Sequence, residues 1–308
     1  MPAPPLLFEM MRSFVSLAET LNLSRTVEEL NSTRQTVRRH IATLEQHKGG
    51  PLFAIRDRKY HLTDLGRHAL IEADELVIRA DAWVGGHSYH VNGLQRLGLN
   101  MPEGYTYCLQ QQPLSRIWQD SSPLIQEGFQ TWARSCGEIE SPQYRALRPW
   151  LMVFRRHHNE WICVDVGERS SYSNFYGWAW QRSTIGRPIS ALPGGHNLGR
   201  LLTIPFENVR TLGHARLDHI FTSLTPKHGP NAGTLVPVSY QRLLTGCRFP
   251  DGSFALASLI DRTYNIDIEG VSREEVRSMD EGLVMNVDIH AELADRHAKP
   301  AGRAPVAT

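Results

Sequence analysis

The stretch from Asn31 to Gln46, NSTRQTVRRHIATLEQ, constrains this chain more than any other. Val37, Ile41 and Leu44 fall at i, i+4 and i+7, which predicts one helix with a narrow apolar stripe. At about 100° per residue the opposite arc carries Gln35, Arg38, Arg39, Ala42, Thr43 and Gln46. Thr33 or Ser32 can cap the free amides of the first turn. Packed by one stripe and presenting Arg, Gln and Thr outward, such a helix suits a DNA major groove, where Arg and Gln can bond guanine and adenine edges in bidentate fashion. In isolation the same arc would serve equally as an ordinary solvated face. Its neighbours decide between the two.

Upstream, Leu7, Met10, Phe14, Leu17 and Leu21 recur at steps of three and four, predicting an amphipathic helix over residues 6–20. Asn22-Leu23-Ser24 interrupts it, and Ser24 is a candidate N-cap for a short helix from Arg25 to Leu30. A turn then leads into the helix at 33–46, giving helix, short helix, turn, helix. Downstream, Gly49-Gly50-Pro51 ends that helix and Leu52-Phe53 return to the core. Arg56-Asp57-Arg58-Lys59 is a polar turn between Ala54-Ile55 and Tyr60-His61-Leu62, the pattern of a small hairpin or wing. Thr63 caps a further helix. From Arg34 to Arg67 eight Lys or Arg (34, 38, 39, 48, 56, 58, 59, 67) stand against three acids (45, 57, 64), a local charge of +5 inside a chain of net +1. This is the electrostatic footprint expected for a polyanion partner.

These positions carry a resemblance. Phe14, Ala18-Glu19, Val37, Arg39, Ile41, Leu44-Glu45, Gly49, Leu52-Phe53, Leu62-Thr63 and Gly66 stand at the spacings of LysR-type transcriptional regulators. Residues 6–86 resemble the winged helix-turn-helix and linker helix of that family. The chain departs from it at Thr26-Val27, where the family has two small residues, at Arg38 in place of a polar residue, and at Ile55 in place of an arginine. The resemblance implies DNA contacts from Thr33, Arg34, Gln35, Thr36, Arg38, Arg39 and Thr43 in or beside the major groove. Arg56, Arg58 and Lys59 would meet the backbone or minor groove. Ala69, Ala73, Leu76, Ala80 and Trp83 step by 4, 3, 4 and 3 along the next helix, a seam like that of a coiled coil. That seam either packs on the chain's own next domain or, as the resemblance implies, pairs two subunits.

Residues 87–145 are broken by Gln112-Pro113, Ser122-Pro123 and Ser141-Pro142 and are expected to be a connector, with one helix over Pro123–Ser135. Beyond them the LysR alternation of strands and helices is missing. Trp150–Phe154 and Trp161–Val166 predict two strands around a polar turn, followed by an aromatic helical stretch and a helix within residues 198–220. Val236–Cys247 and Ser253–Arg262 predict a hairpin across Pro250-Asp251-Gly252. Phe175–Gly186, Tyr240–Leu244 and the Pro-Asp-Gly turn resemble the divergent PAS-like modules of bacterial regulators. Phe175, Tyr176, Trp178 and Trp180 can line a ligand pocket or simply fill the core. Ser272-Arg273-Glu274-Glu275 has the capping-box form and opens a C-terminal helical region.

Four cysteines lie far apart without a CxxC pair, so neither a zinc site nor a disulfide framework is expected. His157-His158 would point to opposite faces of a strand, and His214 and His219 lie about 140° apart on a helix, so neither pair can share an ion. A haem ligand among His196, His214 or His219 would fit a PAS-like fold but has no supporting motif. No GxSxG, HExxH, P-loop or GxGxxG pattern occurs, Gly194–Gly199 lacks a strand-turn-helix context, and an enzyme is not expected. No apolar run approaches the roughly 18 residues of a membrane span, and the N-terminus is not a signal peptide.

The expectation is therefore an α+β chain. Residues 1–66 form a winged helix-turn-helix, 67–86 a dimerising linker helix, and 87–145 a connector. A PAS-like antiparallel-sheet domain with flanking helices occupies 146–268, a helical region 269–296, and a disordered tail 297–308. The expected function is a cytoplasmic, DNA-binding transcription regulator. Its partners would be double-stranded DNA, a second copy or higher homo-oligomer, and a small-molecule effector, with no membrane, no metal and no assigned cofactor. The alternative is a ligand-sensing or protein-interaction module whose winged helix has lost specific DNA binding.

Overall fold

The computed structural model describes residues 5–100, 105–157, 160–193 and 199–298, and the chain divides into two compact units at Gly85/Gly86. In the first, α1 (Leu7–Thr20), α2 (Leu23–Glu29) and α3 (Arg34–Lys48) precede the hairpin β1 (Phe53–Arg56) and β2 (Lys59–Leu62), and α4 (Asp64–Val84) follows. Their core joins Phe14, Leu17, Val37, Ile41, Leu44, Leu52 and Phe53 to Leu70, Ala73 and Val77 of α4. Each boundary has a local cause. Asn22, not Ser24, caps α2, accepting from the amides of Ser24 and Arg25. Thr33 caps α3 through the Thr36 amide, and Gly49 closes it at φ 78°, a left-handed conformation that suits glycine. Thr63 caps α4 through the Gly66 amide. Gly66 has no substitute: a Cβ there would lie 2.1 Å from the carbonyl oxygen of Leu52.

The second unit is built on one antiparallel sheet. Its strands among the described residues are β3 (Ser88–Val91), β4 (Leu94–Asn100), β5 (Thr106–Gln112), β6 (Leu151–His157), β7 (Glu160–Val166), β8 (Ala215–Leu224), β9 (Val236–Arg248) and β10 (Phe254–Arg262). They lie in the order β3-β4-β5-β8-β9-β10-β6-β7. Between β5 and β6 come α5 (Arg116–Gln119), α6 (Pro123–Arg134) and α7 (Pro142–Leu147). Between β7 and β8 come α8 (Ser171–Tyr176), α9 (Trp178–Thr184) and α10 (Gly199–Leu212), and α11 (Arg273–Arg277) and α12 (Ile289–Ala298) end the described chain. One sheet face packs Leu151, Val153, Leu217, Leu243 and Leu259 against Ile125, Leu147 and Ile289. The other packs Met152, Phe154, Leu244 and Leu256 against Phe206 and Val209 of α10, with Phe175 and Tyr176 of α8 over Val238.

Three expectations need correcting. Residues 88–112, read as part of a connector, supply three strands of the sheet. Their polar side chains hid them, because those side chains hold backbone rather than water: Arg96 Nη2 donates to Glu269 O at 2.7 Å and Gln112 Nε2 to Asp267 O at 2.8 Å. The helix expected within residues 198–220 stops at Leu212, and Leu217, His219 and Ile220 lie on β8. Gly213, at φ 63°, makes the break and donates to Val209 O. The C-terminal region has the Ser272/Glu275 capping box, but only a single 3-10 turn, Glu281–Leu283, lies between α11 and α12. The turn residues His158 and Asn159, the stretch Gly194 to Leu198 with His196, and tail residues 299–308 lie outside the described residues.

Candidate nucleic-acid interface and sheet cavity

The orientation of α3 is fixed from its buried side. Val37, His40, Ile41 and Leu44 are buried, so Arg34, Gln35, Arg38, Arg39, Ala42 and Gln46 are exposed, as is Thr33, while Thr36 and Thr43 are half-buried. His40, which the apolar pattern passed over, lies 2.7 Å from Ser13 Oγ through Nδ1. Burial, and then the Arg39 charge, push this imidazole below the usual histidine range, against the pull of Glu9. Glu45 Oε1 accepts from the amides of Leu52 (2.8 Å) and Phe53 (3.3 Å), tying the chain after α3 back to it and holding the hairpin in the same unit.

The hairpin turns on Asp57 and Arg58 at φ 50° and 61°, the signature of a type I′ turn, with Arg56 paired to Lys59. Arg56, Arg58 and Lys59 are exposed. Together with Arg38 and Arg39 they make no ion pair among the described residues, so their charge is available to a polyanion. Arg34 differs: its Nη2 donates to Ser24 Oγ at 2.8 Å, which adds Ser24, read from the sequence only as a helix cap, to the same surface. Thr26, where LysR-type regulators have a small residue, is fully buried and shares a 2.8 Å hydrogen bond with Thr20 Oγ1.

The expected helical seam divides. Ala69 and Ala73 are buried in the core of their own unit, whereas Leu76 is 52% exposed, Trp83 is 73% exposed and Ala80 is half-buried. The inward alanines face the core shared with α1, so only the outer edge of the seam is open to a partner.

The aromatic residues of the second unit also divide. Phe175 and Tyr176 line a cavity of about 140 Å³, together with Tyr105, Tyr107, Tyr172, Tyr240 and Arg262. Trp178 is 71% exposed and Trp180 meets Lys227 Nζ at 5.9 Å, so neither lines it. Burial pushes the Tyr107 phenol up to about 12 and raises those of Tyr172, Tyr176 and Tyr240, so all are hydroxyl donors. Tyr107 Oη, fully buried, has no hydrogen-bond partner among the described residues. Tyr105, Tyr107 and Arg262 escaped the sequence reading because Tyr107 and Arg262 lie on strands whose neighbours alternate away from them, and Tyr105 just precedes β5. The every-second-residue run 105, 107, 109 was the available signal.

Residues 8–67 match the family "Bacterial regulatory helix-turn-helix protein, lysR family". The chain is 36% identical over 88 residues to the HTH-type transcriptional activator AllS of Klebsiella pneumoniae, covering 29% of this chain and 33% of that protein. It is 39% identical over 71 residues to the HTH-type transcriptional regulator IlvR of Caulobacter vibrioides, covering 23% and 24%. It thus spans about a third and a quarter of the length of these relatives. A crystal structure of a LysR-family transcriptional regulator from Eggerthella lenta is 43% identical over 21% of this chain and 91% of that one, at a TM-score of 0.20. The first unit therefore carries a helix-turn-helix DNA-binding domain of the lysR type.

Proposed function

We propose that this chain is a sequence-specific, DNA-binding transcription regulator that acts as a homodimer and carries a PAS-like ligand-sensing or relay domain. The observation that carries the reading is the rotation of α3. Four buried side chains turn Gln35, Arg38 and Arg39 outward with their polar groups unspent, beside a hairpin whose tip is basic. Base edges in the major groove are the partner such a surface fits. Leu76 and Trp83 on α4 supply an apolar edge through which two copies would pair. A two-fold dimer would read half-sites about one helical turn apart, or a multiple of it.

The PAS-like assignment is supported by connectivity. The hairpin β6-β7 is followed by helices, then by β8, β9 and β10, and β10 returns to pair with β6. No helix among the described residues is long and apolar enough to cross a membrane, which agrees with a place in the cytoplasm.

The test is binding of the full chain to genomic fragments across a salt series. A dimer neutralising about six to ten phosphates gives a slope of log affinity on log salt of roughly −5 to −9, with a preference for particular fragments. Absence of both salt dependence and preference would overturn the DNA-binding reading and leave the winged helix as a protein-interaction module.

A further inference from the structure

We propose that the sheet cavity binds a small monocarboxylate with a compact apolar body, and that Arg262 is its counter-ion. The proposal rests on reading the second unit as a ligand-binding module and adds the chemistry of the ligand. The cavity floor is one face of the sheet: Tyr107 on β5, Thr222 and Leu224 on β8, Val238 and Tyr240 on β9, Ile260 and Arg262 on β10. The register places them together, since Tyr107 pairs with Thr222, Thr222 with Val238, and Tyr240 with Arg262. The roof is α8, through Ser171, Tyr172, Phe175 and Tyr176.

Size comes first. An apolar cavity of about 150 Å³ accommodates benzene, so about 140 Å³ admits a body of roughly that bulk.

Charge comes second. Arg262 is buried, and its guanidinium bonds only uncharged oxygens: Leu283 O at 2.6 Å, Ser171 O at 2.7 Å and Ser171 Oγ at 2.9 Å. A buried cation without a carboxylate partner is costly. Burial pulls Arg262 down to about 10, with Asp261 opposing. Asp261 is its neighbour on the strand, however, and points to the other face. The same face carries Arg216 and Arg242 with a single carboxylate, Asp218, bonded to both at 2.6 and 2.9 Å. Arg156 on the same face pairs with the buried Glu207 of α10 at 2.7 Å, so four arginines stand against two carboxylates and this side of the sheet keeps a net positive charge. The fully buried Tyr107 hydroxyl, without a partner among the described residues, is a donor in the cavity lining. A carboxylate would pair with Arg262, and the aromatic walls would cover its apolar body.

Isothermal titration of the full chain with isovalerate and phenylacetate, each against its neutral amide, tests this. At least one acid is expected to bind saturably and at least tenfold more tightly than its amide. Val238→Phe, which fills the floor, should abolish that binding. Arg262→Gln keeps a donor but removes the charge, and should erase the difference between acid and amide. An amide that binds as tightly as its acid, or an acid preference that survives in folded Arg262→Gln, overturns the counter-ion and leaves the ligand-sensing reading standing. If neither member of either pair binds, the carboxylate cavity is overturned. If an acid binds equally well to folded Val238→Phe, the site lies elsewhere and the proposal is overturned. DNA binding, measured separately, is untouched by any of these results.

Discussion

Ser13 Oγ and His40 Nδ1 meet at 2.7 Å in the buried contact between α1 and α3. This is a polar pin inside an apolar seam, and it lies one residue from Arg39. Ser13→Ala leaves the ring nitrogen unpaired and should cost about 1–3 kcal/mol. His40 also makes the first unit sensitive to acid. Its folded pKa lies below the usual 6.5, so the unfolded chain takes up more protons. The stability is complete above that value and is lost as pH falls through it. Hydrogen exchange of the α1 and α3 amides at pH 7.5 and 5.5 should show faster opening at the lower pH, and His40→Gln should flatten the difference.

Arg39 and Arg58 belong to different classes of contact on the proposed reading. Arg39→Ala should relax preference at one or two base pairs and cost about 1–3 kcal/mol on specific DNA. Arg58→Ala should weaken all sequences alike and reduce the salt slope by about 1. Competition binding on specific and random duplexes measures both. Equal loss on random DNA would mark Arg39 as a phosphate contact. Arg38, where LysR-type regulators have a smaller polar residue, should shift which sequence is preferred when replaced by Gln.

The two sides of α4 should respond in opposite ways. Leu76→Asp alters the open edge and should lower the sedimenting mass towards one chain without unfolding the first unit. Ala73→Leu adds bulk to a filled core and should cost about 1–3 kcal/mol while leaving assembly of the folded fraction unchanged. Sedimentation and urea unfolding on both variants separate the effects.

His219 is a second acid-sensitive group. Its Nδ1 accepts from the Asp267 amide at 2.9 Å, while burial and then Arg116 push the ring down to about 4. Folded below unfolded again means stability present above about 6.5 and lost as pH falls towards 4. The full shift is worth about 3 kcal/mol. Asp261, raised to about 6 by burial, acts in the opposite sense, because its folded state holds the proton more tightly. The difference between wild type and His219→Gln, followed by urea unfolding from pH 7 to 4.5, isolates the histidine.

The first unit was legible because its signals are local. Thr33, Gly49 and Thr63 cap or stop helices by their own chemistry, and Val37, Ile41 and Leu44 state a period. The helix at residues 123–134 was legible for the same reasons, having Ser122 as its cap and Pro123 behind it. The strands at 88–112 were not. Gln95, Arg96 and Gln112 are buried, and nothing near them in sequence shows that Gln95 will accept from Arg216, Arg96 donate to Glu269 and Gln112 donate to Asp267. The cavity failed for a related reason. Tyr107 and Arg262 stand 155 positions apart, and only the sheet register brings them to one wall. Trp178 and Trp180 were attractive by type, yet α9 places them away from the lining.

The turn at Asp57-Arg58 carries a trade. Both residues hold the left-handed conformation, which costs an ordinary side chain roughly 1–2 kcal/mol and a glycine little. An Asn-Gly pair would sit there with less strain. The hairpin is thus less stable than its backbone permits, and the difference is spent on keeping a guanidinium at its tip. Selection for thermal stability alone would be expected to erode Arg58 early, and with it the proposed grip on nucleic acid.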